Sequence, residues 1–177
     1  MKTKTTYLLI VTSFLLASCK EKAVTSTPIA SKAPSAALAA VLASSPNGEP
    51  KSILLIRSSA KPGDEITVRG RIMGNDKPFV EGRAVFILGD PEVLTACNDV
   101  PGDECETPWD ACCDSPEDKK RATATIQILG ADGRVLKEAI EGVKGLKKLA
   151  TVTVTGKVAD GSSADLMLVN ATAIRVP

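Results

Sequence analysis

The chain has 177 residues and a nearly balanced charge, 22 Lys and Arg against 21 Asp and Glu, for a formal net charge of +1. It contains no histidine, which excludes imidazole as a general base, as a metal ligand and as a haem ligand. Aromatic residues make up 3% of the chain, so its core must depend on aliphatic side chains, as β-rich proteins often do.

The first 18 residues have the pattern of a bacterial export signal. Lys2 and Lys4 give a positive start, and an apolar run follows from Tyr7 to Leu16. At about ten residues this run is too short for a membrane-spanning helix, which needs ~20, but it suits the core of a signal peptide. We therefore predict a signal peptide over residues 1–18.

The tetrapeptide Leu16-Ala17-Ser18-Cys19 closes this signal and resembles the lipobox of bacterial lipoproteins. In that motif the cysteine is acylated before cleavage on its N-terminal side. The resemblance implies a location in the bacterial cell envelope, with lipid on Cys19 as the membrane anchor. Lys20 resembles the outer-membrane sorting pattern of a Gram-negative cell, in which the protein faces the periplasm. The alternative is an ordinary secretory signal with a chance cysteine.

Residues 19–50 are rich in Ala, Ser, Thr and Pro, a composition that predicts a flexible tether between lipid and folded domain. Within it, residues 35–43 favour a short helix with Ser35 as its cap. The folded domain is predicted over residues 51–177.

Alternation of apolar and polar residues, or β-branched runs, predicts the strands of this domain. The predicted strands cover residues 66–72, 83–88, 122–129, 152–158 and 166–176, with Asp132-Gly133 turning the chain into a further segment over 134–139. Residues 141–149 favour a short helix, which Gly142 and Gly145 weaken.

Two of the predicted strands carry an inward glycine two residues after a valine, at Gly70 and Gly156. Glycine at such a position permits the sharp bend that a small closed barrel requires. The order of three strands, a helix and two strands resembles the OB-fold. We predict an all-β domain, a small five- to six-stranded OB-like barrel with one short helix and a cysteine-rich insertion. SH3-like barrels and small sandwiches share much of this order.

The insertion covers residues 90–118, between the second and third strands. Ten of its 29 residues are Asp or Glu and none is Lys or Arg. It holds four cysteines, an even number that in an exported protein predicts disulfides. Because adjacent cysteines make a strained bridge, two pairings stay open. These are Cys97–Cys112 with Cys105–Cys113, or Cys97–Cys113 with Cys105–Cys112.

A metal site is the more specific alternative to disulfides for the same four cysteines. Thiolates hold zinc or copper(I), and Asp110 and Asp114 lie near in the sequence. The C-x7-C-x6-C-C spacing differs from the C-x2-C pairs of familiar zinc sites, so the disulfide interpretation predicts no metal or other cofactor. The absence of C-x-x-C argues against thioredoxin-like exchange. Trp109 is expected to pack over the bridges as the small core of the insertion.

The segment Pro78–Phe86, followed by C…C-x-T-P-W-D-x-C-C, looks like a group of bacterial envelope lipoproteins often described as OB-fold-like. Residues 107–110 and 112–113 carry this resemblance. It implies a fold and a cellular address, and it brings neither an activity nor site residues.

The function predicted from these features is a non-catalytic envelope module that binds a protein or a small ligand. Trp109 and Asp110 of the insertion are candidate binding residues. Arg83, with Arg69 on a neighbouring strand, is a candidate anion contact, and surface pairing across strands is the alternative for both arginines. No nucleophile-and-base pair is identifiable, so we predict that the protein is not an enzyme.

Nucleic-acid binding, a frequent role of OB-folds, is not expected. Loss of Lys2 and Lys4 leaves 20 basic against 21 acidic residues, a net charge of −1. Single strands are usually held by aromatic platforms and a basic groove, whereas this chain has few aromatic residues and its largest loop is acidic.

Overall fold

Strands form where the sequence alternates between apolar and polar residues, as over residues 65–71 and 123–127, or where it is apolar without interruption, as over 85–89. The structure, a computed structural model, describes residues 33–177. Its strands are β1 (Glu65–Arg71), β2 (Val85–Gly89), β3 (Thr123–Gln127), β4 (Thr151–Val158) and β5 (Leu168–Arg175). Its helices are α1 (Ala36–Ala43), α2 (Ile53–Ser59) and α3 (Pro116–Arg121), with 3-10 turns at Cys97–Asp99 and Val143–Gly145.

The five strands close into a barrel in the order β1-β2-β3-β5-β4, with β4 returning to β1. β3 and β5 are parallel and the other neighbours are antiparallel. This arrangement confirms the predicted small OB-like barrel. β1 pairs with β4 along its whole length but meets β2 only at Arg71 and Gly89. The insertion leaves the barrel at this weakly paired corner, since β2 ends at Gly89.

The two inward glycines lie where the strands approach each other closely. Gly70 and Gly156 are both buried, and the β4–β5 ladder shifts register between Thr155 and Gly156. A Cβ atom on Gly156 would overlap the backbone of Asn170, and one on Gly70 would lie 2.9 Å from the carbonyl oxygen of Gly89. The irregularity predicted for these strands occurs at Gly156, whereas Gly70 lies in a regular ladder and is needed because the backbone of Gly89 approaches it closely.

α1 packs on β5, although the sequence predicts that it lies within a flexible tether over residues 19–50. Ser35 caps α1 by accepting from the Leu38 amide, and the Ser35 amide donates to Glu138 Oε2 at 3.1 Å. Leu38 is fully buried in the barrel core. Burial of this leucine therefore starts the packed domain before the predicted boundary at residue 51. The predicted signal peptide and Cys19 lie outside the described residues.

Two other segments differ from their predicted form. The helix predicted over 141–149 is only a 3-10 turn, because Gly142, Lys144 and Gly145 all take positive φ values. The segment predicted over 134–139 makes one isolated bridge, between Leu129 and Val135.

Aliphatic side chains fill the barrel, as the composition predicts. Phe86 is the single fully buried aromatic residue in this core among residues 33–177, and it is surrounded by Ile, Leu, Val and Ala. α2 closes one side by burying Ile53 and Ile56, with Ser52 as its cap. Within the described residues no helix is both long and apolar enough to cross a lipid bilayer.

Candidate thiol site in the insertion

Asp90 fastens the start of the insertion to the barrel. Its side chain is almost completely buried, and its Oδ2 accepts from the Leu54 amide of α2 at 2.9 Å. Its own amide donates to the carbonyl oxygen of Ala122 at 2.8 Å, directly after α3. The two ends of the insertion are therefore held beside each other, and the segment between them must fold back on itself.

Backbone hydrogen bonds fix how the two arms of the insertion meet. The amide of Cys97 donates to the carbonyl oxygen of Asp110, and that of Asn98 to Pro108, both at 2.8 Å. Further out, the Thr95 amide donates to Asp114 Oδ2 at 2.8 Å. These contacts bring Cys97 on the first arm opposite the cysteines of the second arm.

A small apolar cluster lies beneath the arms, separate from the barrel core. Its buried members are Met73, Leu94, Ala96, Ala111 and Ala122. Trp109 is not one of them, contrary to the expectation that it forms the core of the insertion. Its indole Nε1 instead donates to the carbonyl oxygen of Asp76 at 2.8 Å, and Lys148 Nζ lies 3.8 Å from its ring centroid. Alanine therefore supplies most of this cluster, and Trp109 joins the insertion to two barrel loops.

Three of the four cysteines converge on one point. The Sγ atoms of Cys97, Cys105 and Cys112 all lie within 4.8 Å of one another. Cys112 is central, because its Sγ is 3.3 Å from that of Cys97 and 3.9 Å from that of Cys113. Cys97 is buried, Cys105 is half-buried, and Cys112 and Cys113 are exposed. The site therefore has a closed inner side and an open outer side.

All four of these cysteines are free thiols in the structure, so the predicted disulfides are not formed in it. A disulfide requires sulfur atoms about 2.05 Å apart. The shortest separation seen, 3.3 Å between Cys97 and Cys112, is that of neighbouring thiols. Since Cys112 has sulfur neighbours on two sides, the site is organised as a cluster and not as two separate pairs.

The three clustered thiols differ in acidity. Burial raises the pKa of Cys97 to about 12. Hydrogen bonding from the Thr107 hydroxyl and backbone lowers the pKa of Cys105. Hydrogen bonding to Cys97 lowers the pKa of Cys112, but Cys113, burial and Cys105 together raise it by more, so the net shift is upward. Cys105 therefore supports a thiolate best, and Cys97 is stable as a neutral thiol unless a cation replaces its proton.

The carboxylates predicted near a metal have other partners. Asp110 Oδ1 accepts from the Ala111 amide at 2.7 Å and lies 3.6 Å from Lys119 Nζ. Asp114 holds the Thr95 amide. Within the described residues, the group able to bind a metal consists of three cysteines and no carboxylate. Asp110 thus helps to fix the conformation of the site and is not one of its candidate metal ligands.

Arg83 lies away from the partner that the sequence suggests for it. With Arg71 opposite Gly89 in antiparallel strands, Arg69 falls beyond the C-terminal end of β2, whereas Arg83 precedes its N-terminal end. The two arginines therefore do not face each other across neighbouring strands, and the predicted anion contact between them is not formed. Arg83 is exposed in the loop before β2.

A groove of about 540 Å³ lies between α2, α3 and the β4–β5 loop, and none of the four cysteines lines it. Its apolar wall includes Leu54 and Met167. Its cations already have partners. Arg57 donates to the carbonyl oxygens of Thr123 and Ala164, and Lys120 pairs with Asp165 at 3.1 Å. The groove is large enough for a small ligand, but its cations are used within the protein.

Sequence reasoning missed the contacts that join the insertion to the barrel. Asp99, in the 3-10 turn, pairs with Arg71 at the end of β1, and Arg71 Nε also donates to the carbonyl oxygen of Leu149 at 3.1 Å. The hydrogen bond from Arg71 lowers the pKa of Asp99. Charged residues of opposite sign are frequent along this chain, so no local pattern marks Arg71 and Asp99 as partners.

The chain matches no protein-family model, no curated protein and no solved structure. Its resemblance to envelope lipoproteins thus stays a prediction. What the site can do has to be inferred from its own geometry, in which three convergent sulfur atoms are the main feature. Three thiols at this spacing can bind a soft metal ion, or two of them can close into a disulfide.

Proposed function

We propose that this protein is a lipid-anchored module of the bacterial cell envelope that binds a soft metal ion through its insertion. In this proposal the barrel is a non-enzymatic support, and Cys97, Cys105 and Cys112 are the metal ligands. The observation that carries the proposal is the convergence of their three Sγ atoms within 4.8 Å of one another. The export signal and lipobox support the location.

Sulfur geometry favours a metal ion over two disulfides. Zinc–sulfur bonds of about 2.3 Å imply sulfur atoms roughly 3.8 Å apart around a tetrahedral ion. The Sγ atoms of Cys97 and Cys112 are 3.3 Å apart, and all three Sγ atoms of the cluster lie within 4.8 Å of one another, a range that includes that value. Binding therefore needs only small side-chain adjustments, and the soft ions that thiolates prefer are zinc and copper(I).

A disulfide-stapled insertion is the second candidate, and the short Cys97–Cys112 contact favours it. Of the two pairings left open by the sequence, this contact supports Cys97–Cys112 with Cys105–Cys113. Closing loops of this size stabilises a domain by about 2–4 kcal/mol per bridge. In this version the insertion is a rigid binding surface and holds no metal.

Anaerobic titration of the reduced full-length chain separates the two candidates. We expect one zinc or copper(I) ion per chain, with affinity falling at least about 100-fold in Cys97→Ser and Cys105→Ser, a larger loss than the ~10–100-fold typical of outer-shell changes. Cys19→Ser is the matched control, because it removes a cysteine assigned to lipid. Absence of stoichiometric binding to the reduced chain would reject the metal site.

Anchoring has its own test. Cys19→Ser should abolish labelling with a fatty-acid analogue and leave an unprocessed precursor. The variant should also no longer be sorted as a lipoprotein. The lipobox motivates this expectation, since the thiol is the acylated atom. Normal lipid labelling of the variant would contradict the anchor while leaving the metal proposal intact.

Aromatic positions support a role other than nucleic-acid binding. Phe86 is fully buried, Phe79 packs against the barrel core, and Trp109 is covered by Lys148. Among the described residues, these side chains offer no exposed row on which successive bases can stack. We expect no micromolar binding of single-stranded DNA or RNA at about 0.15 M salt, where the Debye length is ~8 Å.

A further inference from the structure

Cys113 is the cysteine that the three-thiol cluster leaves out. Its Sγ lies 3.9 Å from the Sγ of Cys112, and both residues are exposed. On the inner side, Cys97 is only 3% exposed and is held by its hydrogen bond to Asp110. An ion bound by the cluster would therefore be enclosed on the Cys97 side and approachable on the Cys113 side.

The number and type of the ligand atoms limit which metal ion the cluster can bind. Structural zinc sites almost always have four protein ligands, and open zinc sites usually include imidazole. This chain has no histidine, and within the described residues the group of possible ligands holds three sulfur atoms. Thiolates bind both zinc and copper(I), and three sulfur ligands are sufficient for copper(I), which does not require a fourth ligand.

We propose that Cys97, Cys105 and Cys112 hold copper(I), and that Cys113 is the ligand through which the ion enters and leaves the site. This inference rests on the proposed metal-binding function. In this inference Cys112 stays bound to the ion as a resident ligand. The adjacent Cys113 binds the ion only while it enters or leaves, as a transfer ligand.

The exchange step requires no oxidant. The Cys113 sulfur bonds to copper(I) as the bond to Cys105 breaks, and the proton lost by Cys113 passes to the released Cys105 sulfur. That sulfur lies 3.4 Å from Thr107 Oγ1, which stabilises it when it is released. An acceptor thiolate then replaces the protein ligands one at a time on the exposed side. Copper stays in the +1 state throughout.

Charge in the insertion favours the approach of a cation. Ten of its 29 residues are acidic and none is basic. Three of the ten pair with cations outside the insertion (Asp99 with Arg71, Asp110 with Lys119 and Asp118 with Arg121), which leaves seven acidic residues in excess. An excess of one sign raises the local concentration of oppositely charged ions and speeds their encounter. The same field disfavours anionic acceptors, so the expected acceptor is a neutral or basic partner that carries exposed thiols.

The test is a transfer experiment with the full-length chain, loaded anaerobically with one equivalent of copper(I). A chromophoric copper(I) chelator is added in excess, and release is followed by absorbance. In Cys113→Ser we expect unchanged stoichiometry and an affinity within about twofold of the parent, but release slowed about tenfold, the effect of a barrier raised by about 1.4 kcal/mol. Cys113→Met, which restores a soft ligand, should recover part of the rate.

Each result has a separate meaning. If the parent chain binds neither copper(I) nor zinc, the proposed metal-binding function fails. If it binds zinc but no copper(I), only the copper(I) inference fails. If it binds copper(I) but Cys113→Ser releases it at the parent rate, only the transfer role fails. A Cys113→Ser affinity as low as that of Cys105→Ser would make Cys113 a resident fourth ligand, which also overturns the inference while leaving the metal site in place.

Discussion

The barrel and its insertion are stabilised in different ways. The barrel buries one continuous aliphatic core, with Phe86 and Ile126 fully enclosed and five strands paired around it. The insertion contributes three residues to a small buried cluster, which Met73 and Ala122 of the barrel complete, and it depends on cross-arm hydrogen bonds. The free energy gained by burying apolar side chains does not depend on redox state or on bound metal. The bonding state of the thiols depends on both. We therefore expect the barrel to keep its stability when metal or redox conditions change, and the order of the insertion to change with both.

The largest expected effect on stability comes from truncating a side chain in the barrel core. Phe86→Ala removes a fully buried ring, and we expect a loss of about 3–5 kcal/mol in the free energy of unfolding. Denaturant titration measures the loss, which should be equal with and without bound metal. Ile126→Val, with an expected loss of about 0.5–1.5 kcal/mol, gives the same comparison if the larger cavity prevents folding. A loss that depends strongly on metal would show that the two regions are not independent.

Truncation of a side chain in the small apolar cluster should destabilise the insertion alone. Leu94 is 2% exposed and belongs to the small apolar cluster and not to the barrel core, so Leu94→Ala should open the insertion locally at a cost of about 2–3 kcal/mol. Hydrogen exchange should show faster amide exchange at Cys97 and Asn98, and metal affinity should fall. Amides of β4 serve as the internal reference. Equal loss of protection in β4 would contradict a separately opening insertion.

Much of the barrel is predictable, because its strands carry either an alternating pattern or, in β2, an apolar run. Residues 66–72 and 152–158 were predicted within one residue of β1 and β4. Residues 53–56 are apolar without interruption, and they form a helix in which Ser52 is the cap and Ile53 and Ile56 are buried. The helix predicted over 141–149 fails because its glycines adopt left-handed backbone conformations.

The site was predictable in composition but not in arrangement. Four cysteines in an acidic insertion are visible in the sequence, whereas the choice of Cys97, Cys105 and Cys112 depends on how two arms fold together. That folding is set by backbone bonds such as Cys97 to Asp110, which no side-chain pattern encodes. Trp109 likewise contacts Asp76 and Lys148, residues distant in sequence, instead of the cysteines beside it.

The smallest expected effect concerns the contact between the regions at Arg71 and Asp99. Because the pKa of Asp99 is lowered in the folded protein, its contribution to stability is present above its ordinary pKa of 3.8 and is lost as pH falls through the lowered value. Asp99 is 42% exposed, so Asp99→Asn should cost only about 0.2–1 kcal/mol at neutral pH. Unfolding of both proteins from pH 7 to pH 3 should show the difference shrinking in acid.

Glu104→Gln is the matched control for that experiment, because it removes another exposed carboxylate of the insertion. We expect no comparable change in stability at neutral pH. A difference between Asp99→Asn and the parent that persists unchanged at pH 3 would mean that the charge on Asp99 is not what joins the insertion to the barrel.

The central claim, that the thiols of the insertion hold a metal ion, is tested most directly by mass spectrometry of protein isolated from envelope membranes without reductant. Native spectra should show one metal ion per chain. After denaturation with a chelator, Cys97, Cys105, Cys112 and Cys113 should all become alkylated. A metal-free chain, lighter by two hydrogens for each disulfide and resistant to alkylation at these positions, would contradict the claim and establish the stapled insertion instead.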